Sequence, residues 1–502
     1  MKFNFFLIFF VQLCHIKKAQ SNKLIGRFNI VCASSIINLM DTNLYTAIFE
    51  ANNPSHCDFI NYDVGHPIKR IMFDHHQFLV DLDSSGKARP SVLDNIERSL
   101  LCRTVYLGYD SFECPNCKNE NIAPRFCHSR FCNTCGVKYA KKLAIKATTF
   151  CLDTRHRHIV FTIPEELRNW FRIDRTRLNI LFIAARNTIC AIVNKSLFKR
   201  LKKKHLSNSH YLYKDYSHKN DFGMIATLHT FGRDLKWNPH IHSLVPEMIY
   251  NSDKDKVKVF HHFDFTKLRK TFQFELIRLI EEAGGLSKKG DKDKLYRQHP
   301  KGFYVYAKYM EDDKENEDKQ YSKDINGCIS YCMRYAGRPA MAERRITKYD
   351  RNTDTVEWFY NDHKDNKQYD VKEKATDFIK KLIIHIPDYH FQNVRYYGFY
   401  SNAAQKKLDH IHELLGKKKK KDYSRKKRMK IRNRKMNKLK YRTHLIDSFN
   451  RDPLKCKCGY YLRYTYTYDP LEGRKNDRFY RRECINDMQK MQIRGRRPCV
   501  GT

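Results

Sequence analysis

Two histidines, His240 and His242, stand two positions apart in the run Trp237-Asn238-Pro239-His240-Ile241-His242-Ser243-Leu244-Val245. Alternate side chains of a strand share a face. A strand here projects both imidazoles to one side and Ile241 into a core, and paired imidazoles on a rigid surface begin a metal site. Alone, such a pair is more often structural than ligating, so its weight depends on the rest of the chain. Downstream, Tyr331 and Tyr335 lie four apart in a segment whose Gly337 and Pro339 supply a helix stop. That spacing places both phenols on one helical face, beside an apolar stripe of Cys328, Ile329, Cys332 and Ala336. In a chain with 31 tyrosines, a pair like this would by itself be ordinary packing.

Upstream, Cys114-Pro115-Asn116-Cys117 and Cys132-Asn133-Thr134-Cys135 form two C-x2-C knuckles with fourteen residues between them. This is a tetrahedral zinc pattern. Four thiolates leave no open position, so the ion is structural. Cys127 and His128 are surplus: they replace one of the four or stand behind it, and Cys102 is a further candidate. Gly136 relaxes the turn after the second knuckle. Arg125, Arg130, Lys138, Lys141 and Lys142 surround the cysteines and suit contact with DNA.

These groups need elements to position them. Pro90–Leu101 has apolar residues at helical spacing. Arg157–Pro164 reads as a buried strand and Glu165–Lys204 as helices. Gly223–Phe231 is a second strand, joined by a short turn to the histidine strand, so the two pair antiparallel. Residues 311–326 form a charged exposed loop, and Val356–Tyr360 is another strand. The fold class is α+β, an antiparallel-sheet core preceded by a small Cys-rich zinc-binding domain. The domain plan is an N-terminal extension at 1–60, the zinc-binding DNA-contact domain at 61–150 and the catalytic domain at 151–348. An accessory region at 349–410, a basic arm at 411–445 and a Cys-containing tail at 446–502 follow.

The chain has 502 residues with 96 Lys+Arg against 55 Asp+Glu, a net charge of +41. Such a charge is most at ease beside a polyanion, nucleic acid first and an anionic membrane surface second. Lys417–Arg442 alone holds 16 Lys/Arg with one acid, Asp422. It has no apolar face to bury, so it is a solvated arm, or helical on a polyanion. Six of the 17 cysteines fall between Cys102 and Cys135, which favours metal binding in a reducing compartment over a disulfide framework. Cys456-Lys457-Cys458-Gly459 offers C-x-C spacing, poor for zinc. The run Met1–Val11 resembles a short signal-peptide core, but it is too short to span a bilayer and lacks a good cleavage site. It is read as an extension, and the protein as cytoplasmic, associated with the nucleoid, with no membrane partner.

Paired histidines, paired tyrosines and positive charge together suggest metal-assisted DNA strand cleavage with tyrosine as nucleophile. A phenol of pKa about 10 is only about one part in a thousand phenolate at neutral pH, so it needs a polarised target. A divalent ion held by imidazoles supplies that at a phosphate oxygen. Attack stores the bond as a phosphotyrosine and frees a 3′-OH for resealing. The sequence has no G-x-x-x-x-G-K-[ST] loop, and no nucleotide cofactor is expected.

The segments Cys114–Cys135, His158–Pro164, Leu228–His242, Tyr331–Arg345, Asp362-His363 and His385–Gly398 resemble, in the same order, the transposases of the insertion sequence 91 family. These are two-tyrosine HUH (His-hydrophobic-His) endonucleases that transpose by a rolling-circle route. The resemblance implies that His240 and His242 bind Mg²⁺ or Mn²⁺ and that Tyr331 and Tyr335 are the nucleophiles. It also implies that the Cys114–Cys135 region is a Zn²⁺-binding module contacting DNA. The partners implied are single-stranded DNA at element ends and target DNA. HUH sites usually have a third polar ligand, and His229, on the neighbouring strand, is the candidate. Arg130, Lys138, Arg334, Arg338, Lys417, Lys418, Lys419, Arg425, Lys426, Lys427 and Arg428 are the expected DNA contacts. The sequence departs from the family at Pro246-Glu247-Met248, where relatives often carry glycines, and at the shortened Cys456–Cys458 pair. Two other readings stand beside this one: an HUH replication initiator or relaxase, and a non-catalytic zinc-dependent nucleic-acid-binding protein.

Overall fold

The computed structural model describes residues 66–194, 220–260, 263–288, 290–307, 329–330, 332–333, 339–362, 365, 367–440, 442–443, 446, 452–470 and 478–495. The extension at 1–60, the charged loop at 311–326, and Tyr331, Arg334, Tyr335 and Arg338 lie outside the described residues.

Helices α1 (Pro67–Asp74), α2 (His76–Ser84) and α3 (Pro90–Leu100) come first, then the hairpin β1 (Tyr109–Glu113) and β2 (Glu120–Pro124). Next are α4 (Asn133–Phe150), β3 (His156–Thr162), α5 (Glu165–Ile173) and α6 (Leu178–Val193). Strands β4 (Asn220–Asp221), β5 (Gly223–Phe231), β6 (Trp237–Pro246), β7 (Met248–Asn251) and β8 (Lys256–Val259) follow. After α7 (Phe265–Glu282), α8 (Asp291–Gln298) and β9 (Val305–Tyr306) come β10 (Ile346–Asp350), β11 (Thr355–Asn361) and β12 (Gln368–Lys374). The remainder is α9 (Ala375–Ile383), β13 (Val394–Gly398), α10 (Gln405–Lys419), α11 (Arg425–Asn437), β14 (Arg463–Tyr468) and α12 (Arg478–Gly495).

The centre is a five-stranded antiparallel sheet in the order β13-β5-β6-β3-β9. Its two faces follow from side-chain alternation. Met224, Ala226 and Leu228 of β5, Ile241 and Val245 of β6, and Ile159 and Phe161 of β3 enter one buried cluster with Phe171, Phe182, Phe272 and Ile280 of α5, α6 and α7. On the other face, Ile225 and Leu244 share a second cluster with Leu143, Ala144 and Ala147 of α4, Leu408 and Ile411 of α10, and Phe399 and Tyr400. Ile329, Cys332 and Met333 belong to this second cluster too, and are helical. The α+β, antiparallel reading therefore holds. Helix Arg175–Val193 is long and apolar enough to cross a membrane, but it is mostly buried as a core helix.

A third cluster joins α1–α3, Cys102, Cys127, Cys132 and Cys135, β11, α9 and α12. Here the structure redraws the domain plan. The 446–502 tail is not separate: β14 pairs with β1, and α12 packs on α3. Arg481 is fully buried there, paired with Asp94 and Glu97. The 349–410 stretch also divides, because β10–β12 and α9 join the N-terminal cluster while β13 is an edge strand of the central sheet. The basic arm, expected as a solvated arm or as helical on a polyanion, is helical, and α11 buries none of its residues. Its residues build the end of α10 and all of α11, which lies along α4. The anchor missing from composition is Arg428, whose guanidinium is held by Asp409 and the Tyr423 carbonyl.

Gly136 does not relax a turn. It lies in the first turn of α4, where an added Cβ would sit 2.7 Å from the Arg130 carbonyl and 2.9 Å from Pro339. Its lack of a side chain lets the segment after the tyrosine region close on the cysteine module. The departure at Pro246-Glu247 is also settled: β6 runs through Pro246, and buried Glu247 accepts two hydrogen bonds from Arg157 at 3.0 and 2.7 Å.

Candidate functional site

Antiparallel register sets His229 of β5 directly opposite His240 of β6. His240 and His242 share a face by alternation, and His229 lies on that same face. The three offer ligand atoms within 4.8 Å of one another, with ring centroids 4.4 to 5.6 Å apart. A register irregularity between His229 and Phe231 and the tight Gly232–Lys236 turn close the hairpin beside them. His385 braces that turn, bonding Thr230 through Nδ1 at 3.1 Å and the Leu235 carbonyl through Nε2 at 2.9 Å.

A fourth imidazole was missed from sequence. His158 of β3 pairs in register with Leu244 and therefore faces the same way. Its Nε2 lies 2.9 Å from His242 Nδ1, with the rings nearly parallel. The signal was present in His156-Arg157-His158, whose alternation matches that of His240-Ile241-His242.

The hydrogen bonds assign protons. His240 Nδ1 is 2.6 Å from the Asn238 carbonyl. A carbonyl only accepts, so Nδ1 carries the hydrogen and Nε2 the lone pair. In the metal-competent arrangement His242 Nδ1–H donates to His158 Nε2. Burial holds His158 and His240 down at about 4 and His242 well below the ordinary range, with neighbouring imidazoles adding to the fall for His158 and His242. All three are neutral at pH 7, the form in which imidazole ligates. The donor set fits a divalent transition ion.

An open cleft reaches this face at His229. His229, Phe231, Arg130, Arg175, Pro339 and His385 are among its walls. Pro339 directly follows the tyrosine region in sequence, and Ile329, Cys332 and Met333 from that region lie in the cluster on the histidine-bearing face.

The cysteines sort differently from the sequence expectation. Cys114, Cys117, Cys132 and Cys135 do not form one quartet. One group is Cys102, Cys127, Cys132 and Cys135, all buried. The other is Cys114, Cys117, Cys456 and Cys458. The cause is the β1–β2 hairpin, which carries Cys114 and Cys117 to its tip, whereas Cys132 and Cys135 open α4. Cys102 and Cys127, the surplus residues, complete the inner group, with Sγ atoms each 3.6 Å from that of Cys135. His128 is exposed and in neither group. Hydrogen bonds from Cys102, Cys127 and Cys135, and to a smaller extent the ammonium of buried Lys69, hold the Cys132 thiol well below its usual range.

Of the expected DNA contacts, Arg130 lines the cleft and stacks on Tyr139, and Lys138 sits over Phe126 at 4.3 Å. Lys417, Lys418, Arg425, Lys426 and Lys427 are exposed. Lys419 pairs with Asp153, and Arg428 is committed to Asp409.

Comparison with known proteins matches the same two regions. A family model described as "Transposase zinc-binding domain" covers residues 74–163, and one described as "Putative transposase" covers 223–407. The transposase for insertion sequence element IS801 of Pseudomonas savastanoi pv. phaseolicola is 25% identical over 346 residues, 67% of this chain and 77% of its own length. The chain belongs to the insertion sequence 91 transposase family. A second relative in the comparison, "Putative transposase y4qJ" of Sinorhizobium fredii, is also 25% identical over 346 residues, 66% of this chain and 80% of its own length. No solved structure matches significantly. The zinc-binding family match spans the inner cysteine group, and the transposase match spans His229, His240 and His242.

Proposed function

We propose that this transposase nicks and rejoins single-stranded DNA at the ends of a mobile element through a 5′-phosphotyrosine intermediate. The observation that carries the reading is the convergence of His229, His240 and His242 on one sheet face, the face that also carries the cluster with Ile329, Cys332 and Met333. His240 and His242 are the ligands, His229 the third, and Tyr331 and Tyr335 the nucleophiles. When bound, a divalent ion would draw charge from a non-bridging phosphate oxygen.

The tyrosine oxygen attacks phosphorus and gives up its proton. The bond to the 3′ oxygen breaks, and that oxygen takes a proton to leave as the 3′-OH. A second tyrosine provides a second linked transfer, and reversal reseals the strand. Imidazole nitrogens suit transition ions, whereas Mg²⁺ takes oxygen ligands. Of the two expected ions, Mn²⁺ is the better fit. The exposed cations of α10 and α11 and the lysines of α4 hold the DNA, with Arg130 at the cleft. The exposed tyrosines of β14 add a surface on which unpaired bases stack. The protein works in the cytoplasm, on the nucleoid.

The test is a single-stranded oligonucleotide carrying the element's end, incubated with protein and Mn²⁺ and run on a denaturing gel. A covalent adduct is expected from the wild type and none from His240→Ala, which retains salt-sensitive DNA binding. No adduct from the wild type would refute the reading. Loss of binding in His240→Ala would mean that the histidines hold the fold instead.

A further inference from the structure

The outer cysteine group lies half outside the matched regions. Cys114 and Cys117 fall within the zinc-binding match, but Cys456 and Cys458 lie beyond both family models. We propose that these four cysteines hold a second structural zinc ion, distinct from the inner one, which clasps the C-terminal strand onto the N-terminal hairpin.

The geometry is that of two facing knuckles. In the first, Cys114 N–H donates to the Asn119 carbonyl at 2.9 Å and Lys118 N–H to the Cys114 carbonyl at 3.0 Å. Lys118 takes a positive φ of 58° to close that turn. In the second, Cys456 N–H donates to the Tyr460 carbonyl at 2.8 Å and Gly459 N–H to the Cys456 carbonyl at 3.0 Å. The φ of 94° at Gly459 is left-handed and suits glycine. This turn is what lets C-x-C spacing serve where a regular knuckle uses C-x2-C.

Across the gap, Cys114 Sγ is 3.4 Å from Cys458 Sγ, and Cys117 Sγ is 3.4 Å from Cys456 Sγ. All four sulfurs lie within 4.8 Å of one another. Four thiolates about 2.3 Å from a zinc ion lie about 3.8 Å apart, so small adjustments complete the tetrahedron. Cys117 and Cys458 are exposed, so apolar burial does not account for their meeting. Ligation accounts for it, and the thiol protons pass to solvent as the ion binds.

The clasp closes a loop of more than three hundred residues. It fixes β14 against β1, and with it the exposed rings of Tyr464, Tyr466 and Tyr468. Helix α12 is anchored separately by buried Arg481 and Ile485. The ion therefore governs the strand more than the helix.

The test is metal analysis of the full-length, reduced protein, and it uses no DNA, so its outcome is independent of the strand-transfer reading. Two zinc ions per chain are expected, with one released readily by a chelator and the inner one slowly. Cys456→Ser with Cys458→Ser should hold one. In that variant, hydrogen exchange across Arg463–Tyr468 should quicken at least tenfold while Tyr480–Met488 stays protected, which also shows that the variant is folded. One zinc in the wild type, two in the variant, or Cys114–Cys458 and Cys117–Cys456 disulfides in the reduced protein would each overturn the proposal.

Discussion

His158→Phe probes how the histidine face is organised. His158 is not a proposed ligand, yet its Nε2 sits 2.9 Å from His242 Nδ1. If His242 Nδ1–H donates to it, the bond fixes His242 in the tautomer whose Nε2 ligates. Phenylalanine keeps a flat ring beside His242, now 5.1 Å away between centroids, but cannot accept that hydrogen. Loss of such a supporting partner commonly costs 10- to 100-fold in metal affinity, about 1.4 to 2.7 kcal/mol. The assay is single-strand cleavage titrated with Mn²⁺. The half-saturating concentration should rise by about that factor, with most of the maximal rate recovered at saturating metal. His158→Gln, whose carbonyl accepts, should stay nearer the wild type. An unchanged half-saturation in the phenylalanine variant, or equal loss in both variants at saturating metal, would refute the reasoning.

Other consequences concern stability and binding. Buried His156 and His412 are held down at about 4 by desolvation, against an ordinary value of about 6.5. Depressed folded values mean the stabilisation is full above pH 6.5 and is lost as pH falls toward 4. Each site should cost about 2 kcal/mol by pH 5, seen as a falling Tm that His156→Gln partly flattens. Arg481→Met removes the buried guanidinium from Asp94, while Glu97 keeps Arg482 at 3.3 Å, and should destabilise by about 3–5 kcal/mol in urea unfolding; a loss below about 1 kcal/mol would contradict the pairing. Replacing Lys430, Arg432, Arg434 and Lys435 of α11 with Gln should flatten the log–log salt dependence of single-strand binding by up to about 2.8, at about 0.7 per contact. An unchanged slope would place the DNA elsewhere.

What the sequence revealed was local. The alternation Trp237–Val245 was enough to place His240 and His242 on one face, and a short turn was enough to pair β5 with β6 and bring in His229. Strand β11 and helix α3 were readable from periodicity for the same reason. Distant partners were not readable. The sequence cannot show that Cys114 and Cys117 meet Cys456 and Cys458 more than three hundred positions away, so the nearer Cys132 and Cys135 were assigned to them. Basic composition hid α11 because it is held by contacts distant in sequence, its packing along α4 and the pairing of Arg428 with Asp409 of α10. His158 was passed over because its role depends on the β3–β6 register, which only the folded sheet fixes.

The central claim is that Tyr331 or Tyr335 becomes covalently joined to DNA. The most direct measurement is mass spectrometry of the protease-digested adduct formed with an element-end oligonucleotide and Mn²⁺. A 5′-nucleotide phosphate on the peptide containing Tyr331 or Tyr335, absent from Tyr331→Phe with Tyr335→Phe, is expected. A nucleotide on any other residue, or an undiminished adduct in the double variant, would contradict it.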